Sequence, residues 1–322
     1  MKNKKIIILD HKGGRLCNQL WNYISVYAYC LEKNYQCHNY SLYKYDNDFN
    51  IQDKDLLYKI FLLLNTTTYV LGKNRFVHKL YRWYVNHMET KYGDEIIDSG
   101  FDFLISGVTY LPPTPPRRPL DTTTNNIIAN SKHNTTYLEG WLFRNPVGIE
   151  KYRKEIHHYF LPKKQIRIKA ESFTKELRSK YKHLLGIHIR QGDYIGDYLG
   201  AQSPAAKIYV NEEEASSFIG QYLSLSRKSP QETCLVICSD GPVDIRPFQG
   251  LNVTLSKGDP VQDVYTLSLT DVVIGTNSTF GAYASYYGNI PFVVFDKNGL
   301  DWEYYRDKTK YFENKYCKVV NY

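Results

Sequence analysis

Four short apolar runs in the second half of the chain, Leu184 to Arg190, Cys234 to Ser239, Val272 to Gly275 and Phe292 to Phe295, alternate with helical segments. Strands spaced by helices pair in parallel, which constrains the fold more than any other feature of the chain. The first half opens in the same way. Ile6 to Leu9 reads as a buried strand, Gly13-Gly14-Arg15 as a turn, and a helix follows from about Asn18 to Lys33. That helix sets Trp21, Ile24, Ala28 and Leu31 on one face, and a second strand lies near Cys37. Asn211-Glu212-Glu213-Glu214 is a capping box that opens a helix carrying Phe218, Tyr222 and Leu225. The expected architecture is α/β, with two Rossmann-like domains, 1–175 and 176–322, meeting near residue 175. Residues 43–130 form a variable insert, with a Tyr-rich helical stretch near 74–91. Pro112 to Pro119 must be an extended loop, since proline forbids helix and sheet interior. No internal repeat is visible.

The net charge of +8 suits an anionic ligand. Part of it lies between Lys151 and Lys182, where eleven residues are Lys or Arg, among them Lys163, Lys164, Arg167 and Lys169. That stretch reads as a solvated helix face, with a peripheral membrane contact as its alternative. It has no base-stacking motif or zinc-finger spacing, so nucleic acid is not expected as a partner. Six cysteines without a CxxC pair or metal-ligand spacing read as reduced thiols of a cytoplasmic protein, with the inner membrane face as the alternative location. Ile6 to Leu9 is too short for the apolar core of a leader, and no run approaches the ~20 apolar residues of a membrane span. The 30 tyrosines offer ring faces and hydroxyls that suit carbohydrate, although packing accounts for most of them.

Three segments carry chemistry. In Gly186-Ile187-His188-Ile189-Arg190-Gln191-Gly192-Asp193-Tyr194, alternation buries Ile187 and Ile189 and puts His188 and Arg190 on the other face. Arg190 then sits near the carboxyl end of its strand, where open α/β sheets bind ligands. A guanidinium there can grip a diphosphate bidentately and keeps its charge at any pH. Gly275-Thr276-Asn277-Ser278-Thr279-Phe280-Gly281 is a strand-to-helix turn that aims N–H groups at an anion. Ser278 can equally serve as a simple helix cap. Asp240, in Cys238-Ser239-Asp240-Gly241, suits the N1–H and N2–H₂ pair of guanine, or is a turn-forming Asp-Gly.

Together these segments resemble the inverting α1,2-fucosyltransferases. His188-Ile-Arg190-Gln-Gly-Asp193 is similar to their HxRRxD motif, and Gly13 through Leu20 resembles the GGxLGNQ signature. Asp263-Val-Tyr265 through Asn277-Ser278-Thr279-Phe280 resembles their Asp-containing helix followed by NSTF, and Tyr137 to Trp141 falls where they have a GYwQ-type strand. The order agrees from about residue 6 to 296. Two positions depart: Gln191 replaces the second motif arginine, and Cys17 replaces a glycine. The resemblance implies two Rossmann-like domains facing a cleft (GT-B type), an acceptor-side first domain, and a GDP-fucose-binding second domain. It implies that Arg190 holds the diphosphate, that His188 and Asp193 shape its loop, and that Asp240 reads guanine. Ser278, Thr279 and Phe280 would line the nucleotide, and Gly14, Asn18 and Gln19 would border the cleft.

The expected reaction moves fucose from GDP-fucose, as donor substrate and not cofactor, to an oligosaccharide or glycolipid hydroxyl, with α1,2 linkage to galactose as the finer expectation. No metal is expected. Asp46-Asn47-Asp48 and Asp53-Lys54-Asp55 resemble DxD pairs but lie in a polar stretch, so Arg190 and the helix start at 278–280 supply the stabilisation instead. The general base is left open among Asp193, Asp197 and Glu139, each of which can be a structural carboxylate. Three alternatives stand beside this reading. Another GDP-sugar or fucosyl linkage would use the same donor residues. A dinucleotide oxidoreductase fails, because no GxGxxG follows the first strand. A non-catalytic carbohydrate- or nucleotide-binding protein would keep the fold without the chemistry.

Overall fold

The structure, a computed structural model, describes residues 4–10, 14–52, 54–70, 74–93, 96–98, 120–122, 127–140, 143–191, 209–256, 258–296 and 299–307. Pro112 to Pro119, Asp193 and Asp197 lie outside these residues. The chain forms two compact α/β units that divide between Lys163 and Lys164 rather than near residue 175.

In the first unit, β1 (Lys5–Asp10) leads to α1 (Leu16–Lys33) and β2 (Gln36–Asn39). Gly14 opens the helix at φ +81, where a Cβ would lie 2.4 Å from Asn18 Nδ2, so the turn demands glycine. The insert contains α2 (Leu56–Val70), which the sequence reading missed, and α3 (Asn74–Tyr92), the expected Tyr-rich helix. There follow β3 (Ile96–Asp98), β4 (Leu120–Asp121), α4 (Ile127–Asn130), β5 (Thr135–Glu139), β6 (Phe143–Arg144), α5 (Pro146–Lys151) and α6 (Arg153–Tyr159). Four strands form a parallel sheet in the order β2-β1-β5-β3, and β4 pairs with β6 apart from it. Tyr58 and Phe61 of α2 and Val77, Tyr81 and Val85 of α3 pack with Ile7 and Leu9 of β1. Tyr40, Tyr43, Tyr58 and Tyr81 are all buried in this cluster, so these tyrosines serve packing rather than a sugar surface.

The second unit opens with α7 (Lys164–Arg178), whose Leu177 packs against Leu184, Cys234 and Val236. That burial ties α7 to the second sheet and sets the boundary ahead of it. The elements β7 (His183–Ile189), α8 (Glu212–Leu225), β8 (Thr233–Ser239) and β9 (Asn252–Leu255) follow. After them come α9 (Pro260–Ser268), β10 (Val272–Gly275), α10 (Thr279–Gly288), β11 (Phe292–Val294) and α11 (Trp302–Tyr305). Five parallel strands run in the order β11-β10-β7-β8-β9, of which β9 had escaped the sequence reading. Leu185, Ile187 and Ile189 pack with Phe218, Ile219 and Tyr222 of α8 on one face. The chain leaves β7 toward β8 and returns to its other flank for β10, so the topological switch lies between β7 and β10.

Of the cations between Lys151 and Lys182, Lys151, Arg153, Arg178, Lys180 and Lys182 each meet a carboxylate. This stretch is a face laced with ion pairs. The capping box exists as expected: Asn211 Oδ1 accepts from Glu214 N–H at 2.8 Å, and Asn211 N–H donates to Glu214 Oε2 at 3.0 Å. Asn211→Ala is expected to lower the unfolding free energy by about 1 kcal/mol, read as a fall in the urea midpoint at constant m. An unchanged midpoint would contradict the capping role.

Candidate functional site

The switch between β7 and β10 gathers most of the residues singled out in the second unit. His188 and Gly275 are register partners on the two strands. A Cβ on Gly275 would lie 2.7 Å from the His188 carbonyl oxygen, so only glycine lets the strand ends approach this closely. His188 is 4 % exposed, its Nδ1 lies 3.1 Å from Ser278 Oγ, and its ring stacks on Phe280 at 4.7 Å between centroids. Ser278 occupies the N-cap position of α10 in extended conformation, yet its hydroxyl makes no capping bond. Engaged by His188, the Ser278 hydroxyl does not cap α10, and a helix start at a strand end is a place where an anion can bind.

One residue past β7, Arg190 turns its guanidinium toward Asp240, with Nε 3.7 Å from Oδ2 and the side chains 18 % and 25 % exposed. The other Asp240 oxygen accepts from the Gln191 backbone N–H at 2.8 Å. Asp240 therefore braces the end of β7 from the end of β8, and a guanine edge would have to share an engaged carboxylate. Gln191, where the resembling family has arginine, is 3 % exposed and donates from Nε2 to Glu212 Oε1 at 2.5 Å. Glu212 Oε1 also accepts from Asp244 N–H at 3.2 Å. Position 191 thus holds a buried amide that ties β7 to the first turn of α8. Burial, helped by the Arg190 charge, pushes His188 down to about 3, so the imidazole is neutral at physiological pH. Nearby, burial raises the carboxyl of Asp263 to about 6 against the hydrogen bond from Ser256.

The remaining candidates belong to the first unit. Its switch lies between β1 and β5, whose last residues, Asp10 and Glu139, are partners in register. Both carboxylates are buried, and Arg82 Nη1 contacts Asp10 Oδ2 at 2.5 Å. Gly14 lies in the turn beyond β1, the half-buried Asn18 stands in the first turn of α1, and Gln19 is buried one residue on. Asp10 was missed as a site residue; its signal was an acidic residue terminating the apolar run Ile6 to Leu9. One aspartate of each DxD-like pair is held in structure. Asp46 is buried against Lys54 and Tyr58, Asp55 meets Lys5 and Tyr40, and Asp53 lies outside the described residues. Among the described residues no three His, Cys, Asp or Glu side chains form a metal-binding group.

No protein-family model matches the chain. No curated protein matches it either. Solved structures do. NodZ from Bradyrhizobium, also solved as an alpha-1,6-fucosyltransferase with GDP, superposes with a TM-score of 0.51 at 13% identity, covering 94% of this chain and 97% of its own. A variant of Arabidopsis thaliana FUT1 in complex with GDP gives 0.50 at 12% identity, covering 90% of this chain and 70% of its own. POFUT1 with GDP is a weaker likeness: the chain spans 54% of one crystal form's chain at a TM-score of 0.35 and 99% of another at 0.49. The fold, two Rossmann-like α/β units, is thus one shared with solved fucosyltransferases.

The neutral His188 makes a pH prediction with a definite sign. Between pH 6.5 and about 3 the unfolded chain protonates this imidazole and the folded chain does not, so its contribution to stability is lost as pH falls. Asp263 acts oppositely, taking up its proton first in the folded state below about pH 6. His188→Phe, which can keep a ring against Phe280, is expected to lose less Tm than the parent between pH 7 and pH 4. Parallel Tm curves would contradict a buried, neutral His188.

Proposed function

We propose that the protein is a glycosyltransferase that moves fucose from GDP-fucose to a hydroxyl of an oligosaccharide or glycolipid acceptor, with inversion and without a metal ion. The observation that carries this reading is that Arg190, one residue past β7, and the start of α10, tied to β7 by His188 and Ser278, lie at the same strand ends beside the β7/β10 switch. The fold shared with NodZ and FUT1, both solved with GDP, supports the same donor class. α1,2 linkage to galactose is the finer reading and rests on the motif resemblance.

In such a transfer the acceptor hydroxyl attacks the anomeric carbon while GDP departs from the opposite face. Negative charge grows on the β-phosphate. Arg190 offers a permanent positive charge there, and the first-turn N–H groups of α10 add the positive end of a helix dipole. His188 is a positioning residue: neutral and buried, it holds Ser278 and Phe280 so that α10 begins beside Arg190. Asp240 keeps Arg190 at the strand end and can share an oxygen with a guanine edge. Glu139, Asp193 and Asp197 are the candidates for the general base; Asp10, which Arg82 contacts, is the register partner of Glu139.

The test uses thermal shift and turnover together, both in EDTA. GDP is expected to raise the Tm of the parent and UDP to leave it unchanged. Arg190→Ala is expected to lose the GDP shift and to lower kcat by roughly a hundredfold or more, with Arg190→Lys restoring only part. An Arg190→Ala protein that is less stable yet turns over normally per folded molecule would make Arg190 a brace for Asp240 only. Equal shifts with GDP and UDP would overturn the donor class.

A further inference from the structure

The helical pair of the first unit turns an apolar surface outward that neither the fold nor the proposed transfer uses. On α2, Leu56, Ile60 and Leu63 recur at helical spacing and are 76 %, 47 % and 68 % exposed, with Leu57 beside them. On α3, Phe76 and Trp83 are likewise exposed. The half-buried Leu64 and Leu80 anchor both stripes on the cluster beneath. Each helix is therefore apolar on two sides, one packed on the sheet and one in solvent. An exposed apolar area of this kind marks a contact surface.

The charge around it selects the partner. From Leu56 to Met88 the chain contains no Asp or Glu, while Lys59, Arg75 and Lys79 are exposed on the two helices. The only acid on the pair is Glu89, near the end of α3. The apolar stripe also continues into a cavity of about 500 Å³ that Leu56 and Leu57 line together with Tyr84, Lys91 and the ion-paired Lys5 and Asp55. A second protein surface would need a matching apolar face and acidic groups. An anionic bilayer supplies both, with acyl chains for Leu, Phe and Trp and headgroups for Lys and Arg. Among the described residues no helix is long and apolar enough to cross a membrane.

We infer that the outer face of α2 and α3 docks the protein on an anionic lipid surface. The contact differs from the basic stretch at Lys151 to Lys182, where carboxylates already meet several cations. It does not depend on the proposed transfer, because the assay that tests it involves neither donor nor acceptor.

The experiment is co-sedimentation of the full chain with phosphatidylcholine vesicles, with and without phosphatidylglycerol, beside light scattering and a melting curve. The parent is expected to pellet with the anionic vesicles and at least ~tenfold more weakly with neutral ones. Ile60→Glu with Leu63→Glu is expected to lose at least ~tenfold of that binding while keeping the parent Tm, since both side chains are already in solvent. If that variant melts early, Trp83→Glu on the other helix provides the same comparison. A parent that stays in the supernatant overturns the inference. So does a folded variant that pellets as well as the parent, or a parent dimer that the variant splits without any vesicle binding.

Discussion

The hydrogen bond between His188 and Ser278 joins the end of β7 to the start of α10, and the candidate site depends on it. It exists because two constraints coincide. Gly275 lets β10 run against β7 at the His188 carbonyl, which brings the following turn within reach of the imidazole. Burial then keeps that imidazole neutral, so a ring beside the Arg190 guanidinium adds no second positive charge. With Ser278 committed sideways, its hydroxyl does not cap the helix start. The Phe280 ring covers His188 and completes the lock.

A second brace comes from the neighbouring strand. Asp240 receives the Gln191 N–H with one oxygen and faces Arg190 with the other, while the Gln191 side chain reaches Glu212. An arginine at position 191 would place a second charge in this buried contact. A neutral amide instead links β7, the turn after β8 and the first turn of α8. The Arg190 guanidinium at the end of β7 is thus directed by a carboxylate just past the neighbouring strand β8.

Much of this was legible in the chain because it is local. Apolar runs marked β7, β8, β10 and β11, the Asn211 box marked α8, and the run after Gly14 marked α1, since each signal lies within one element. Arg190 could be placed at a strand end for the same reason. What escaped detection depends on distant partners. Asp10 appeared to end an apolar run, and nothing local reveals that Glu139 lies beside it or that Arg82 reaches it from α3. Ser278 read as a nucleotide contact or a helix cap, and nothing local shows that a histidine far away in sequence takes its hydroxyl. The helix α2 was unread because its apolar residues occupy two faces, which blurs the single-stripe periodicity of an ordinary surface helix. The strand β9 is short and only partly buried, so its apolar signal is weak.

The account stands on where the diphosphate binds, and a crystal structure of the protein with GDP measures that directly. It predicts β-phosphate oxygens within hydrogen-bonding distance of the Arg190 guanidinium and of backbone N–H groups in the first turn of α10, with the His188–Ser278 contact intact. A nucleotide bound elsewhere, with Arg190 still turned to Asp240 and no phosphate at the start of α10, would contradict it.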